Sequence, residues 1–467
     1  MRKRLIITLG FIIFLIISIV TFVVFIHSGF REIQIELDEE YNELFTKEKL
    51  HKSAHVAPLD KYITDTSIGF QNLDGTKSLY VYATPIHFLD KNGKWKMIDS
   101  RITNVTNDEL RKKGYIYGVV ANDIQSYFPK ELSQDTGCLL KKNTTFEFGI
   151  LTEKSIYPHY EEHKNFIGDS KNMLLYKNAL QDIDVRFYPS SIGINCEIDF
   201  NKKPQKNSIS FWIKVDNSQI ILDKQEGGYI NIVETKIQEN GDMNNTILGV
   251  VQVPLLKDKE DNVSYHNNLI SRPLGNNLYE LVFTFESKFL DKDSTAFISF
   301  EMRRDKQPDN AIYSQRPELV EACLRNYSVI GNSHDYGIGQ SLIRYQFVNK
   351  FNLKEEKIKK VNYFTYALTN TEDSYELCPI LEEWCSLAGA WNNHYQTGTG
   401  ISSIHLLEHE MKFDITEEVK KWSENKNERK EEFGLKMKSI AEKEGIYNII
   451  LSNDNSLYKN RTEIILE

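Results

Sequence analysis

The chain has 467 residues, with 57 Lys and Arg against 66 Asp and Glu and a net charge of −9. That length suits two or three domains, and a 12% aromatic content, with 24 Tyr and 25 Phe, excludes disorder throughout. The acidic balance excludes a nucleic-acid binder, which needs a concentrated basic surface.

Residues 1–30 read as a cytoplasmic tip and a transmembrane anchor. Arg2, Lys3 and Arg4 precede Leu5 to Ile26, and no further charge occurs until Arg31. Those 22 residues span about 33 Å as a helix, against a hydrocarbon core of about 30 Å. Basic residues before the segment and Glu32, Glu36, Asp38, Glu39 and Glu40 after it predict a cytoplasmic N-terminus and an extracytoplasmic C-terminal ectodomain. The alternative is a cleaved signal peptide, whose apolar region is shorter and ends in an A-x-A-like site; none follows Ile26. Without the three leading basic residues the remainder stands at −12, three units below the whole. Bulk charge would not draw such an ectodomain to an anionic lipid surface or wall polymer, so such binding needs local patches or bridging cations.

Residues 31–56 carry Ile33, Leu37, Tyr41 and Leu44 at helical spacing, which predicts a stalk helix. Residues 57–302 then read as strands. SLYVYATPIHFLDKNGKWKMID (Ser78 to Asp99) alternates apolar and polar residues around Asn92-Gly93, a dipeptide of hairpin turns. Similar runs recur at Asp182 to Tyr188, Asn195 to Phe200, Ser208 to Asp216, Tyr279 to Phe285 and Ala296 to Met302. Loop residues such as Glu226-Gly227-Gly228 and Arg272-Pro273-Leu274-Gly275 separate them, which predicts antiparallel β-sandwiches rather than βαβ units. Polar residues 303–319 read as a linker, and 320–467 as a further strand-rich domain. One helix is expected there at DITEEVKKW, with Asp414 as cap, Glu417 reaching back, and Val419 and Trp422 on one face. Of five cysteines, Cys138, Cys196, Cys323, Cys378 and Cys385, the last two are close enough to bridge a short loop; burial as free thiols is the alternative.

The segments Glu321 to Phe347, Glu382 to Asn393 and Phe413 to Ser439, followed by NIILSNDNSLYKNRTEIILE, resemble the DNRLRE domain family. The shared order is an opening strand, a glycine-bearing loop leading to a strand with central Arg344, a segment with Trp384, Trp391 and Asn392, a D-I-T…V…W turn, and closing strands. The resemblance implies a jelly-roll sandwich like those of carbohydrate-binding modules, carried on a bacterial surface protein. The stretch from Leu79 to Asp99, DIDVRFYPSSIGINCEIDF and the strand before the linker are similar to the β-rich N-terminal part of wall-associated RHS-repeat proteins. This chain differs from them in lacking YD repeats and in opening on an apolar segment.

Two H-x-x-E-H spacings occur, His159 to His163 and His405 to His409. On a helix this spacing sets two His and a Glu for zinc hydrolysis. On a strand, which the resemblance implies for the second, His405 and His409 share a face and Glu408 points away. His405, His409 and Glu408 are therefore the candidate metal residues, weighed against incidental surface histidines. Carboxylate pairs for glycoside hydrolysis carry no sequence signature. Trp391, Asn392 and Tyr395 lie in a polar stretch and are the candidate sugar-stacking surface, whereas Trp384 and Trp422 read as core. Arg344 is either a ligand contact on a concave face or a cross-strand ion-pair partner. Asp258, Glu260 and Asp261 read as a calcium loop or a solvated turn.

The expected fold is thus mainly β, with an N-terminal transmembrane helix and stalk helix followed by antiparallel sandwiches, the last jelly-roll-like. The expected function is a membrane-anchored, extracytoplasmic surface protein with a structural or binding role and no catalytic residue or cofactor. Its expected partners are the lipid bilayer through Leu5 to Ile26, and cell-wall or extracellular polysaccharide or a surface protein. The alternative is an exported hydrolase, metal-dependent or glycan-active.

Overall fold

The computed structural model describes residues 55–215, 219–222, 229–237, 243–264, 266–302, 309–313, 327–333, 337–343, 350–369, 371–381, 397–406, 409–424, 434–451 and 460–467. The expected anchor and stalk lie outside these. Among the described residues no helix is long and apolar enough to cross a membrane. The chain is mainly β, and the described residues form four antiparallel sheets of six, eight, ten and seven strands and one two-stranded hairpin.

The eight- and ten-stranded sheets form the first sandwich. Its alternating strands turn one face inward, as in Thr145–Ile150 and Gly193–Phe200, where Phe146, Phe148, Ile194, Cys196 and Ile198 all join one core. The eight-stranded sheet is centred on Ser208–Val215 and Thr145–Ile150, and the ten-stranded sheet on Ile183–Pro189, Gly193–Phe200 and Thr295–Met302. Phe148 and Phe300 stack across the core with ring centroids 3.8 Å apart and planes 12° apart. Burial of a ring pair of this kind adds about 0.5–1.5 kcal/mol beyond the area removed from water.

The six-stranded sheet runs His55–Pro58, Ser67–Asn72, Lys77–Tyr82, Arg461–Leu466, Ile358–Tyr366, Glu410–Asp414. It packs on the seven-stranded sheet around Leu79, Tyr363, Phe413, Met437 and Ile464, which makes the second sandwich. Leu79 lies opposite Ile464, 385 positions further along the chain. Residues 103–302, which hold all strands of the first sandwich, are thus inserted between 55–82 and 309–466. The sheets do not follow the division of the sequence at 303–319. Residues 55–82 alternate as an independent β-region would, yet their central strand Lys77–Tyr82 is buried on both faces and takes its second neighbour from 461–466. A third apolar cluster joins the sandwiches: Phe166, Met173, Tyr188 and Phe297 from the first meet Val329, Leu368, Ile449 and Leu451 from the second.

Local readings hold with adjustments. The hairpin His87–Leu89 with Trp95–Met97 forms around Asn92-Gly93, but only Gly93 has positive φ, at 73°. Gly93 N–H donates to Asp90 O at 2.9 Å and Asp90 N–H to Lys94 O at 2.8 Å, so the loop is the longer, single-glycine kind. The helix Thr416–Glu424 buries Val419 and Trp422. Asp414 accepts from Thr416 N at 3.0 Å, while Glu417 pairs forward with Lys420 at 2.9 Å instead of reaching back. Cys138, Cys196 and Cys378 are buried free thiols; Cys323 and Cys385 lie outside the described residues. Burial pushes all three thiols above their ordinary value.

Phe148→Ala removes a fully buried ring from the stacked pair. Urea unfolding is expected to show a loss of about 3–5 kcal/mol, and a loss below about 1 kcal/mol would mean that the two sheets are not closed over this core.

Candidate functional site

The candidate binding residues Arg344, Trp391, Asn392 and Tyr395, with Trp384 and Glu408, lie outside the described residues. The candidate metal histidines are described, and they belong to different sheets. His405 ends the strand Ser402–His405 of the seven-stranded sheet, and His409 precedes Glu410–Asp414 of the six-stranded sheet. The expectation of one strand face carrying both is therefore corrected: the chain crosses between sheets after His405. His405 Nδ1 lies 3.0 Å from Ser374 Oγ, and Nε2 lies 3.3 Å from Glu372 Oε1. His409 Nδ1 donates to Ala367 O at 2.7 Å, and its ring stacks on Tyr366 with centroids 5.4 Å apart. Among the described residues no group of three or more His, Cys, Asp or Glu is arranged to hold a metal ion.

The other H-x-x-E-H run forms the edge strand His159–Lys164, not a helix. Tyr157-Pro158 stands at its start, and pairing with Ser170–Leu180 continues throughout it. Alternation sends His159, Glu161 and His163 to one face. Glu161 Oε1 accepts from Arg186 Nε at 2.9 Å, and Arg186 also pairs with Asp199. Asp258 is a turn residue whose Oδ1 accepts from Glu260 N at 2.8 Å and Asn262 N at 3.0 Å, as the solvated-turn reading requires.

One buried polar arrangement among the described residues was not singled out by the sequence. It lies on the outward face of the ten-stranded sheet, beside the cluster that joins the sandwiches. Glu197 is 2% exposed, and its Oε1 accepts from Tyr188 OH and from Phe166 N, both at 2.7 Å. Burial raises its carboxyl above the ordinary value, and these hydrogen bonds, with Arg186 and His163, oppose the rise. Further along the face, Ser299 Oγ donates to Glu301 Oε1 at 2.8 Å and lies 3.2 Å from Asn195 Oδ1. Glu197 sits opposite Phe297, and Gly193 opposite Glu301. Four strand positions separate the two carboxylates, about 13 Å along the strand, wider than the roughly 5–9.5 Å of a glycosidase pair. The motif N-C-E-I-D-F gave the alternation that puts Asn195, Glu197 and Asp199 on one face. Alternation does not tell that Glu197 is buried there beneath Phe166 and Tyr188, which lie more than eight residues away in the chain.

A second cluster fastens the strands of the second sandwich. Glu356 Oε1 accepts from Lys61 Nζ at 2.6 Å and Tyr62 OH at 2.7 Å, and Oε2 accepts from Lys77 Nζ at 2.8 Å. Partial burial raises this carboxyl, but the hydrogen bonds from Lys61, Lys77 and Tyr62 outweigh it and hold it at about 2. Nothing in K-E-E-K signals partners almost 300 residues upstream.

No family model and no curated protein matches the chain.

Glu356 is held below its ordinary value of 4.5, so its contribution to stability is present above pH 4.5 and lost as pH falls towards 2. Melting of the wild type against Glu356→Gln is expected to show a wild-type advantage at pH 6 that shrinks between pH 4.5 and 2; an advantage unchanged across that window would refute the clamp. Glu197 has the opposite sign. Its raised value favours the protonated fold, so stability is greatest below 4.5 and falls as pH rises. Glu197→Gln, which keeps an acceptor for Tyr188 and Phe166, is expected to gain on the wild type as pH rises from 4.5, and a parallel pair of pH profiles would show that Glu197 is not desolvated in solution.

Proposed function

We propose that the chain is a membrane-tethered, extracytoplasmic structural or binding protein of bacterial surface type. The observation that carries this reading is the junction between the sequence and the first sheet. The basic-flanked apolar segment Leu5 to Ile26 is followed by His55–Pro58, and this strand enters the sheet that Arg461–Leu466 completes. A tether leading into the sandwich that contains the DNRLRE-like residues suits the display of a rigid body from a membrane. In this reading the second sandwich is a jelly roll, and Arg344, Trp391, Asn392 and Tyr395 contact cell-wall or extracellular polysaccharide, or a surface protein. Aromatic faces pack on the C–H faces of sugar rings, and Arg supplies hydrogen-bond donors beside them. The structural reading is favoured over the hydrolase because the polar groups of the described sheets serve as fastenings: Arg186 with Glu161 and Asp199, Tyr188 with Glu197, and Lys61 and Lys77 with Glu356.

Sedimentation of the full chain in detergent with isolated wall material tests the binding role. Binding is expected, and Trp391→Ala or Arg344→Ala is expected to weaken it by about tenfold. Binding unaffected by both substitutions would remove these residues from the contact, and absence of binding to every wall and glycan fraction would leave a scaffold alone.

A further inference from the structure

An acidic ectodomain needs a local basic patch to approach an anionic surface, and the structure supplies one at the hairpin His87–Leu89 with Trp95–Met97. At its base the hairpin belongs to the body of the second sandwich. His87 is buried and its Nδ1 donates to Thr64 O at 2.7 Å, while Met97 packs against the cluster of Ile68, Phe70, Tyr80, Tyr82 and Ile86. The register pairs His87 with Met97 and Leu89 with Trp95. Alternation therefore places these four side chains on one face. That face leaves the body as it runs outward: Leu89 is 52% exposed and Trp95 36% exposed. Lys91 and Lys94 lie in the turn beyond the pair, Lys96 stands opposite Phe88 on the other face, and all three are exposed. The segment from Leu89 to Lys96 contains three lysines and one acid, Asp90, in a chain whose net charge is −9. Asp90 is occupied within the turn, where Oδ1 accepts from Asn92 N at 2.8 Å and Lys94 N at 2.9 Å. The nearby acids also have cationic neighbours: Asp99 is held by Arg101 at 2.6 Å, and Asp65 lies 3.5 Å from Lys350.

We propose that this hairpin tip docks the second sandwich onto an anionic phospholipid surface, with Trp95 and Leu89 at the headgroup boundary and the turn lysines Lys91 and Lys94 on the phosphates. The chemistry is complementary on both counts. Indole rings favour the membrane–water interface, an aliphatic neighbour adds apolar area, and lysine stems lie along apolar surface while their ammonium groups reach the phosphates. The occupant is lipid because the inference rests on the tethered reading. The 28 residues between Ile26 and His55 reach at most about 100 Å, so the bilayer is the anionic surface held at high local concentration beside the tip.

Hydrogen exchange of the full chain in lipid nanodiscs tests this. One disc holds phosphatidylcholine alone and the other includes about 30% phosphatidylglycerol as the anionic lipid. Amides of residues 88–97 are expected to exchange about threefold or more slowly in the anionic disc, and high salt is expected to abolish the difference. Combined Lys91→Gln and Lys94→Gln substitutions, or Leu89→Ser with Trp95→Ser, are expected to abolish it too, with exchange elsewhere in the sheets unchanged. A chain that stays with both discs but exchanges equally in them overturns the docking and leaves the tether standing. A chain that stays with neither overturns both. Slowing produced instead by a soluble poly(glycerol phosphate), with no difference between discs, assigns the tip to a wall polymer and overturns the lipid surface.

Discussion

The whole architecture depends on one long-range pairing, that of Lys77–Tyr82 with Arg461–Leu466. Arg461–Leu466 also pairs on its other side with Ile358–Tyr366, so it is the seam along which two three-stranded halves become one six-stranded sheet. The inward residues of that sheet, Leu79, Val361, Tyr363, Phe413 and Ile464, are the floor of the second core. Without the seam each half exposes an unpaired edge and half of the apolar floor, and neither half has the area to hold a core. The Glu356 clamp reinforces the same junction from outside, since it gathers Lys61 and Lys77 from one half onto a residue just before the other.

The contact between the sandwiches is of a different kind. It is apolar where Phe166, Phe297, Leu368 and Leu451 meet, and a buried carboxyl at Glu197 stands at its margin. A charge in that position would be costly in a medium of low polarity. The protein manages it by donors aimed at one oxygen, from Tyr188 OH and the Phe166 amide, and by a carboxyl that favours its proton. Both donors belong to the first sandwich, so the bonds hold Phe166 and Tyr188, two members of the joining cluster, in place on their own sheet.

Much of the local structure was legible in the sequence, because period-2 alternation and turn residues are local signals. The strands around Asp182 to Tyr188 and Asn195 to Phe200, the hairpin at Gly93 and the helix with Val419 and Trp422 all follow from spacings within ten residues. What could not be read is partner choice. Lys77–Tyr82 is apolar enough to be a central strand, but nothing in it names Arg461–Leu466 as its neighbour, so the sequence break at 303–319 reads as a boundary while the sheets are cut elsewhere. The same limit applies to the polar residues. His405 and His409 look like a pair because four positions separate them, and the crossing between sheets that parts them is a tertiary fact. Glu197 stands in an alternating strand, and its burial depends on Phe166 and Tyr188, brought to it by other strands of the same sheet.

The insertion of one sandwich within the other also orders events in time. All strands of the first sandwich lie in 103–302, so its two sheets can close as soon as that stretch of chain has emerged. The six-stranded sheet cannot: its fourth strand is Arg461–Leu466, which follows 358–366 and 410–414 by tens of residues and 77–82 by hundreds. Through that interval Lys77–Tyr82 and Ile358–Tyr366 each present a bare edge, the arrangement most open to pairing with the wrong chain. Synthesis thus delivers a finished inner sandwich hanging from an unfinished outer one, and a single six-residue strand completes the latter.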